Sequence, residues 1–349
     1  MKKRIVSVLM ASALCLGLMA CGTSNEGKDA NNTEVANTES TEVAASEDGL
    51  FPMTIEHALG ETVLESQPER VVAISWGNPD VPLALGVVPV GISEANFGPV
   101  DENGLLAWTA EAFEALGETP NVFSDTDGWD YEAIADCNPD VILAAYSGLS
   151  DEEYERLSEI APVVAYPEIP WTTTWQDETI NDAKALGMEE EGKALVEETE
   201  QLISEKLVEY PEIAGKRTAF CWLSEDDLGT FYIYTNNDPR AAFLGDLGLE
   251  TPESVTSLIE NPDDFSITVS AENADLLDDV DIIITYGTQS LVDAVKADGR
   301  FANIPAVQNE AFVLLDENDV LAAASTPSVL SIPYCIDDYL KVLSDAASR

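Results

Sequence analysis

The sequence predicts an α/β fold of two lobes, each a mainly parallel sheet flanked by helices, joined by one long helix. Three patterns predict it. Short apolar runs alternate with helix-length amphipathic stretches from about residue 53 onward, the signature of strands buried on both faces. A second series of the same kind starts after Gly215. Between them lies a stretch almost free of strand signals, whose apolar positions recur at helical spacing.

In the first series, strands are expected at Arg70–Ile74, Val88–Ile92, Asp140–Ala144 and Pro162–Tyr166. Helices are expected at Asp80–Leu85, Tyr131–Asp136 and Asp151–Ile160. The joining helix is predicted over Glu189–Tyr210, with Ala194, Leu195, Leu202, Ile203 and Leu207 as its apolar stripe. Beyond it, strands are expected at Arg217–Leu223, Thr230–Tyr234, Val280–Thr285 and Ala311–Leu315. Helices are expected there at Ala241–Leu247, Ala271–Leu276, Ser290–Asp298 and Pro327–Ala347. The lobes are therefore placed at 51–188 and 211–349, on either side of a helix at 189–210.

The N-terminus addresses the chain before it folds. Lys2, Lys3 and Arg4 precede an apolar run from Ile5 to Ala20, which is short for a membrane span and reads as a secretory leader over residues 1–20. It ends in Leu18-Met19-Ala20-Cys21, which resembles a bacterial lipobox, so Cys21 is expected to carry lipid. The following residues, to about 50, are rich in Ser, Thr, Asn, Glu and Ala, too polar to build a core, and are expected to form a disordered tether. An extracytoplasmic, lipid-anchored location follows.

Charge is the compositional outlier: 66 acidic residues against 16 basic ones give a formal net charge of -50. No cluster of Lys and Arg lies past the first few residues, which argues against nucleic-acid binding. The acidity reads first as a strongly solvated surface, and second as a field favouring neutral or cationic ligands. Outside the leader and Cys21, three cysteines remain (Cys137, Cys221 and Cys335) with no Cys-x-x-Cys spacing, and they read as small buried apolar residues. A single histidine, His57, argues against a bare-metal binder and reads as a surface or turn residue. Neither Gly-x-Ser-x-Gly nor Gly-x-Gly-x-x-Gly nor a phosphate-binding loop is present, so no enzyme activity is expected.

Several phrases together resemble a known family. They are His57-Ala58-Leu59-Gly60-Glu61-Thr62-Val63, Gln67-Pro68-Glu69-Arg70-Val71-Val72-Ala73, Leu83 to Gly91, Tyr131 to Leu143, Tyr154 to Val164 and Phe243 to Leu249. In order and spacing they are similar to the substrate-binding proteins of ABC importers for iron–siderophores, haem and cobalamin. The resemblance implies a ligand cleft between the lobes, a monomeric binding protein, and a permease with its ATPase as partners. It implies no resident cofactor, with iron arriving only inside a chelate.

Ligands of open parallel sheets bind beyond the carboxyl ends of strands. That rule selects Trp76, Tyr146, Trp171 and Tyr286, and Trp222, Tyr234 and Arg240 lie near the ends of their elements. Trp129 and Trp175 are further candidates, whereas Trp108 is expected to pack and Arg70 to make a structural contact. Catecholate-siderophore binders of the resembled family surround the ligand with arginines, and of these Arg240 alone has a counterpart here. Tyr146 and Tyr286 follow two of the strands, so a ferric hydroxamate is favoured. Haem or cobalamin capture, or a sensory or enzymatic ectodomain on the same fold, are the alternatives. The resemblance also marks one acidic residue per lobe for permease docking: Glu132 and Glu272, each near a predicted helix start, where a carboxylate is favoured in any protein.

Overall fold

The computed structural model describes residues 49–349. The expected leader, the lipid site at Cys21 and nearly all of the tether lie outside the described residues. The chain enters through an antiparallel hairpin of β1 (Met53–His57) and β2 (Gly60–Leu64). His57, expected as a surface or turn residue, stands at the hairpin turn but is buried there. Its Nε2 lies 3.0 Å from the Thr62 hydroxyl, and the Leu59 amide donates to its Nδ1, so the hairpin turn consumes both ring nitrogens.

The first sheet is wholly parallel. Its strands β3 (Val71–Ala73), β4 (Gly91–Ser93), β5 (Val122–Phe123), β6 (Val141–Leu143) and β7 (Val163–Val164) stand in the order β5-β4-β3-β6-β7. Each is shorter than its apolar run, because buried continuations such as Ile74 and Ala144 already belong to the turns. The run Val88–Ile92 is placed too early: the pairing falls on Gly91–Ser93, where Gly91 leaves room for the Cys137 thiol. Helix Asp151–Ser158 starts with a capping box between Ser150 and Glu153.

The second sheet departs from a simple repetition of the first. It comprises β8 (Thr218–Ser224), β9 (Asp227–Tyr234), β10 (Ser266–Ser270), β11 (Ile282–Tyr286) and β12 (Phe312–Leu315), ordered β10-β9-β8-β11-β12. β8, β11 and β12 are parallel, but β9 returns antiparallel on β8 and β10 antiparallel on β9. After β10, the expected α-helix is a 3-10 helix over Ala271–Asp279 with a kink at Asn273.

The long helix spans Glu189–Leu207 and opens with three glutamates, which suit its positive end. Its buried stripe is Gly192, Val196, Thr199 and Ile203, rotated from the expected one, and Ala194 is exposed. The boundary of the second lobe is also less clean than 211–349. Ala323, Ala324 and Cys335 pack against Leu106 and Trp108 of the first lobe, and Val329 packs on Val81 and Ala183. The Ser328 hydroxyl donates to Asp80 at 2.5 Å. The last helix, Ser331–Ala347, then lies against the long helix. Cys137, Cys221 and Cys335 are free and buried, and burial pushes the thiols of Cys221 and Cys335 up to about 12.

Candidate functional site

A cavity of about 440 Å³ is lined by Trp76, Asn96, Phe97, Tyr146, Trp171, Trp222, Tyr234, Arg240, Phe265, Tyr286, Glu317 and Thr326. All seven residues selected from the sequence as ligand contacts meet there. Trp175 and Trp129 do not. Trp175 is 2% exposed, lies in the core beside Val196 and Phe243, and donates its indole N–H to Asp246 at 3.0 Å. Trp129 packs against the first lobe's core. Trp108 packs as expected, donating to Asp80, and Arg70 caps carbonyls of Cys137 and Asn138.

The first lobe contributes loops. Trp76 sits between Ser75 and Gly77, both with positive φ, so the chain turns sharply just past β3. Gly77 is obligatory: a Cβ there would fall 2.4 Å from the Glu178 carboxylate. Asn78, fully buried, holds this loop to the loop after β6. Its side-chain amide donates to the carbonyls of Ile74, Trp76 and Tyr146, and its oxygen accepts from the Tyr146 amide at 3.0 Å. Trp171 adopts φ +63, unusual for so bulky a side chain. Its amide donates to Ser147 at 3.0 Å, its indole covers Gly148, and its ring meets Tyr146 edge-on at 5.5 Å.

Behind these loops lies a polar interior on helix Trp175–Ala185. Glu178 and Asp182 are both buried, and neither Glu178 Oε1 nor either Asp182 oxygen has a hydrogen-bond partner among the described residues. Burial raises both pKa values well above the carboxylate range, and for Glu178 the neighbouring charges of Asp182 and Asp80 add to it. The Ala145 amide favours the ionised form of Asp182 without reaching hydrogen-bond geometry. Asp80 differs. Burial pushes it up to about 6, against three donors from Trp108, Thr109 and Ser328.

The second lobe contributes a sheet face and a helix start. Phe220 and Trp222 on β8, Tyr232 and Tyr234 on β9, and Tyr286 on β11 share that face, by register and ring contacts. Trp222 lies within its strand, yet its ring is exposed and reaches the cavity. Helix Pro239–Asp246 starts beside them, capped by Asp238. Asp238 is fully buried and grips Arg240. The Arg240 Nε donates to its two oxygens at 2.9 and 3.1 Å, and Nη2 donates to Oδ2. Arg240 lies over the Tyr234 ring at 4.1 Å, and its Nη1 donates to the Tyr286 hydroxyl at 3.3 Å. Ser325 gives its own proton to the Ala322 carbonyl, so the Tyr286 hydroxyl, 2.8 Å away, donates to Ser325. Burial works against the Arg240 charge, but Asp238 outweighs it and holds the pKa above the usual range. Burial, reinforced by the Asp238 charge, pushes the Tyr146 phenol upward, so it remains a donor.

Five lining residues escaped the sequence reading. Phe97, which links Trp76 at 6.1 Å to Tyr286 at 5.4 Å, follows β4, and Asn96 precedes it. Glu317 follows β12, so the carboxyl-end rule applied to that strand finds it. Phe265 precedes β10, an antiparallel strand, where the rule points to the wrong end. Thr326 follows a short helix and carries no local signal. The lining offers one cation, three tyrosines, of which Tyr286 already gives its proton to Ser325, and aromatic walls, which suits a bulky ligand with apolar and polar faces. Among the described residues, no three His, Cys, Asp or Glu side chains are placed to hold a metal ion.

A profile for the periplasmic binding protein family matches residues 71–318. The chain belongs to this family. Its members are substrate-binding proteins. The crystal structure of PiaA from Streptococcus pneumoniae TIGR4 in complex with ferrichrome is similar, with 46% identity, a TM-score of 0.81, and coverage of 84% of this chain and 98% of that one. A probable siderophore-binding lipoprotein of Bacillus subtilis, YfiY, is 23% identical over 87% of this chain and 84% of its own length. The Fe(3+)-citrate-binding protein YfmC of the same organism is 25% identical over 87% and 86%. Two lobes of mainly parallel strands around a cleft are thus the arrangement this chain shares with periplasmic binding proteins. Among the described residues no helix is long and apolar enough to cross a membrane. Glu132 lies exposed in the first turn of helix Tyr131–Asp136, and Glu272 lies exposed at the start of the 3-10 helix.

Proposed function

We propose that this chain captures a ferric siderophore of the hydroxamate type and delivers it to an ABC permease driven by its ATPase. The observation that carries the reading is the aromatic cavity with Arg240 as its one cation, flanked by the Tyr146 and Tyr286 hydroxyls. A ferric tris-catecholate carries several negative charges and calls for several cations, whereas hydroxamate oxygens need only a few donors. The ferrichrome bound by the similar PiaA supports the same class. In this reading Trp76, Tyr146, Trp171, Trp222, Tyr234, Arg240 and Tyr286 contact the ligand, no reaction is catalysed, and iron is cargo within its chelate. The protein works as a monomer held outside the cytoplasmic membrane by lipid on Cys21.

Trp76, Trp171 and Trp222 supply the assay, because each lines the cavity. Titration with ferrichrome, ferrioxamine, a ferric catecholate, haem and cobalamin is expected to quench tryptophan fluorescence with the two hydroxamates. Quenching by the catecholate alone, or by cobalamin alone, would overturn the hydroxamate reading. Glu132 and Glu272 are proposed to meet basic residues of the permease. Reversing both charges is expected to abolish uptake of labelled ferrichrome by cells while its binding to the purified protein persists. Unimpaired uptake would remove the docking assignment.

A further inference from the structure

The Arg240 guanidinium is not free to act as an anion clamp. Its side-on edge, Nε with Nη2, is already occupied by Asp238, whose side chain is 0% exposed, while that of Arg240 is 17% exposed. One hydrogen of Nη1 is directed to the Tyr286 hydroxyl. The charge is thus compensated from behind, and what reaches the cavity is an N–H tip that can donate to an oxygen of any ligand. Bidentate recognition of a carboxylate or catecholate uses the open edge of the fork together with its net charge, and here the edge is filled and the charge is spent. Glu317, the other charged residue in the lining, is acidic. Lining and backing together therefore carry a net negative charge, held by the exposed Glu317 beside the compensated pair.

We propose that Asp238 is a specificity-determining residue: by holding Arg240 as a neutral pair, it lets the cavity accept an uncharged ferric chelate and turn away anionic ones. Asp238 acts through Arg240 and is a positioning residue. The proposal rests on the binding-protein reading above and deepens it to the charge of the ligand. The charge state is set by one side chain on the N-cap of one helix, so it can be altered without redrawing the cavity.

The test compares ferrichrome, which is uncharged, with ferric enterobactin, which is trianionic, on the full folded protein by fluorescence titration. Asp238→Asn keeps a cap for helix Pro239–Asp246, and Asp238→Ser does so with a different side chain. Each removes the compensating charge. Both variants are expected to shift the ratio of the two dissociation constants toward enterobactin by at least about tenfold, an effect that weakens as salt is raised. Adding Arg240→Gln to Asp238→Asn is expected to cancel the gain. A purely structural role would weaken both chelates together and show no salt dependence. Failure of the wild type to bind ferrichrome would sink the hydroxamate reading, and the enterobactin affinity alone would then report on Asp238. No gain for enterobactin in either variant overturns the assignment whatever the wild type does with ferrichrome, and so does tight enterobactin binding by the wild type.

Discussion

The two walls of the cleft are built by opposite means. The first lobe presents loops that leave the ends of parallel strands, with Ser75 and Trp171 in left-handed conformations and, behind them, buried carboxyl oxygens of Glu178 and Asp182 that have no partner among the described residues. The second presents a pleated face and a helix start, and its buried charge, Asp238, is matched by Arg240 at hydrogen-bond distance. A loop wall needs something to hold it, and here Asn78 does so with four hydrogen bonds, while the carboxyls behind it bear the cost of desolvation. A sheet wall is held by its own ladder and can carry a cation within it. Burial of a charge is thus a liability on one side of the cleft and a working part on the other.

Neutralising one carboxylate in each wall sharpens this contrast most, because the two changes are expected to have opposite signs. The raised pKa values of Glu178 and Asp182 mean that the folded state prefers their acid forms. Their contribution is therefore complete below the unfolded values near 4 and is lost as pH rises toward the higher folded values. Asp80 has the same sign, within the window from 3.8 to about 6. Asp182→Asn is expected to raise stability by about 1–3 kcal/mol at about pH 8 and to flatten the decline of the urea midpoint as pH rises above the ordinary carboxylate range. Asp238→Asn is expected to lower stability by about 1–3 kcal/mol at the same pH, since it leaves Arg240 without its counter-charge. Equal signs in the two denaturation series would break the comparison.

A smaller effect is expected at the rim. A Cβ on Gly148 would meet the Trp171 indole at 1.9 Å, and Trp171 is exposed, so the ring can swing aside. Gly148→Ala is therefore expected to cost under about 1 kcal/mol of stability, the scale of a surface change. Ferrichrome is nevertheless expected to bind several-fold more weakly, with reduced quenching. A large loss of stability with intact quenching would show that Trp171 belongs to the core rather than to the ligand face.

The sequence reading succeeded where one rule governed the chain. Trp76, Tyr146 and Trp171 each follow a parallel strand, and apolar runs announce such strands even when their ends are off by a residue or two. It failed where pairing direction mattered. β8 and β9 are joined through Glu225-Asp226, which lacks the Asn-Gly or Asp-Gly chemistry that marks a tight hairpin, so the antiparallel return was not legible and Phe265 was lost with it. Phe97 was lost because the apolar run before it ends earlier than the pairing does. Gly192 and Thr199 rotate the buried stripe of the long helix because neither reads as apolar. Glu178 and Asp182 stand four residues apart on a helix, the spacing of any solvated acidic face, and only the packing of Gly77 and Tyr146 above them reveals that they are enclosed.

Two covalent paths cross between the lobes, the long helix and the returning segment through Ser328. The second is fastened by the hydrogen bond from Ser328 to Asp80 and by Val329 seated on Val81. Tilting one lobe against the other would have to shear both fastenings at once. The mouth of the cleft is accordingly a gauge whose aperture is set before any guest arrives, and candidates are sorted by whether they fit it.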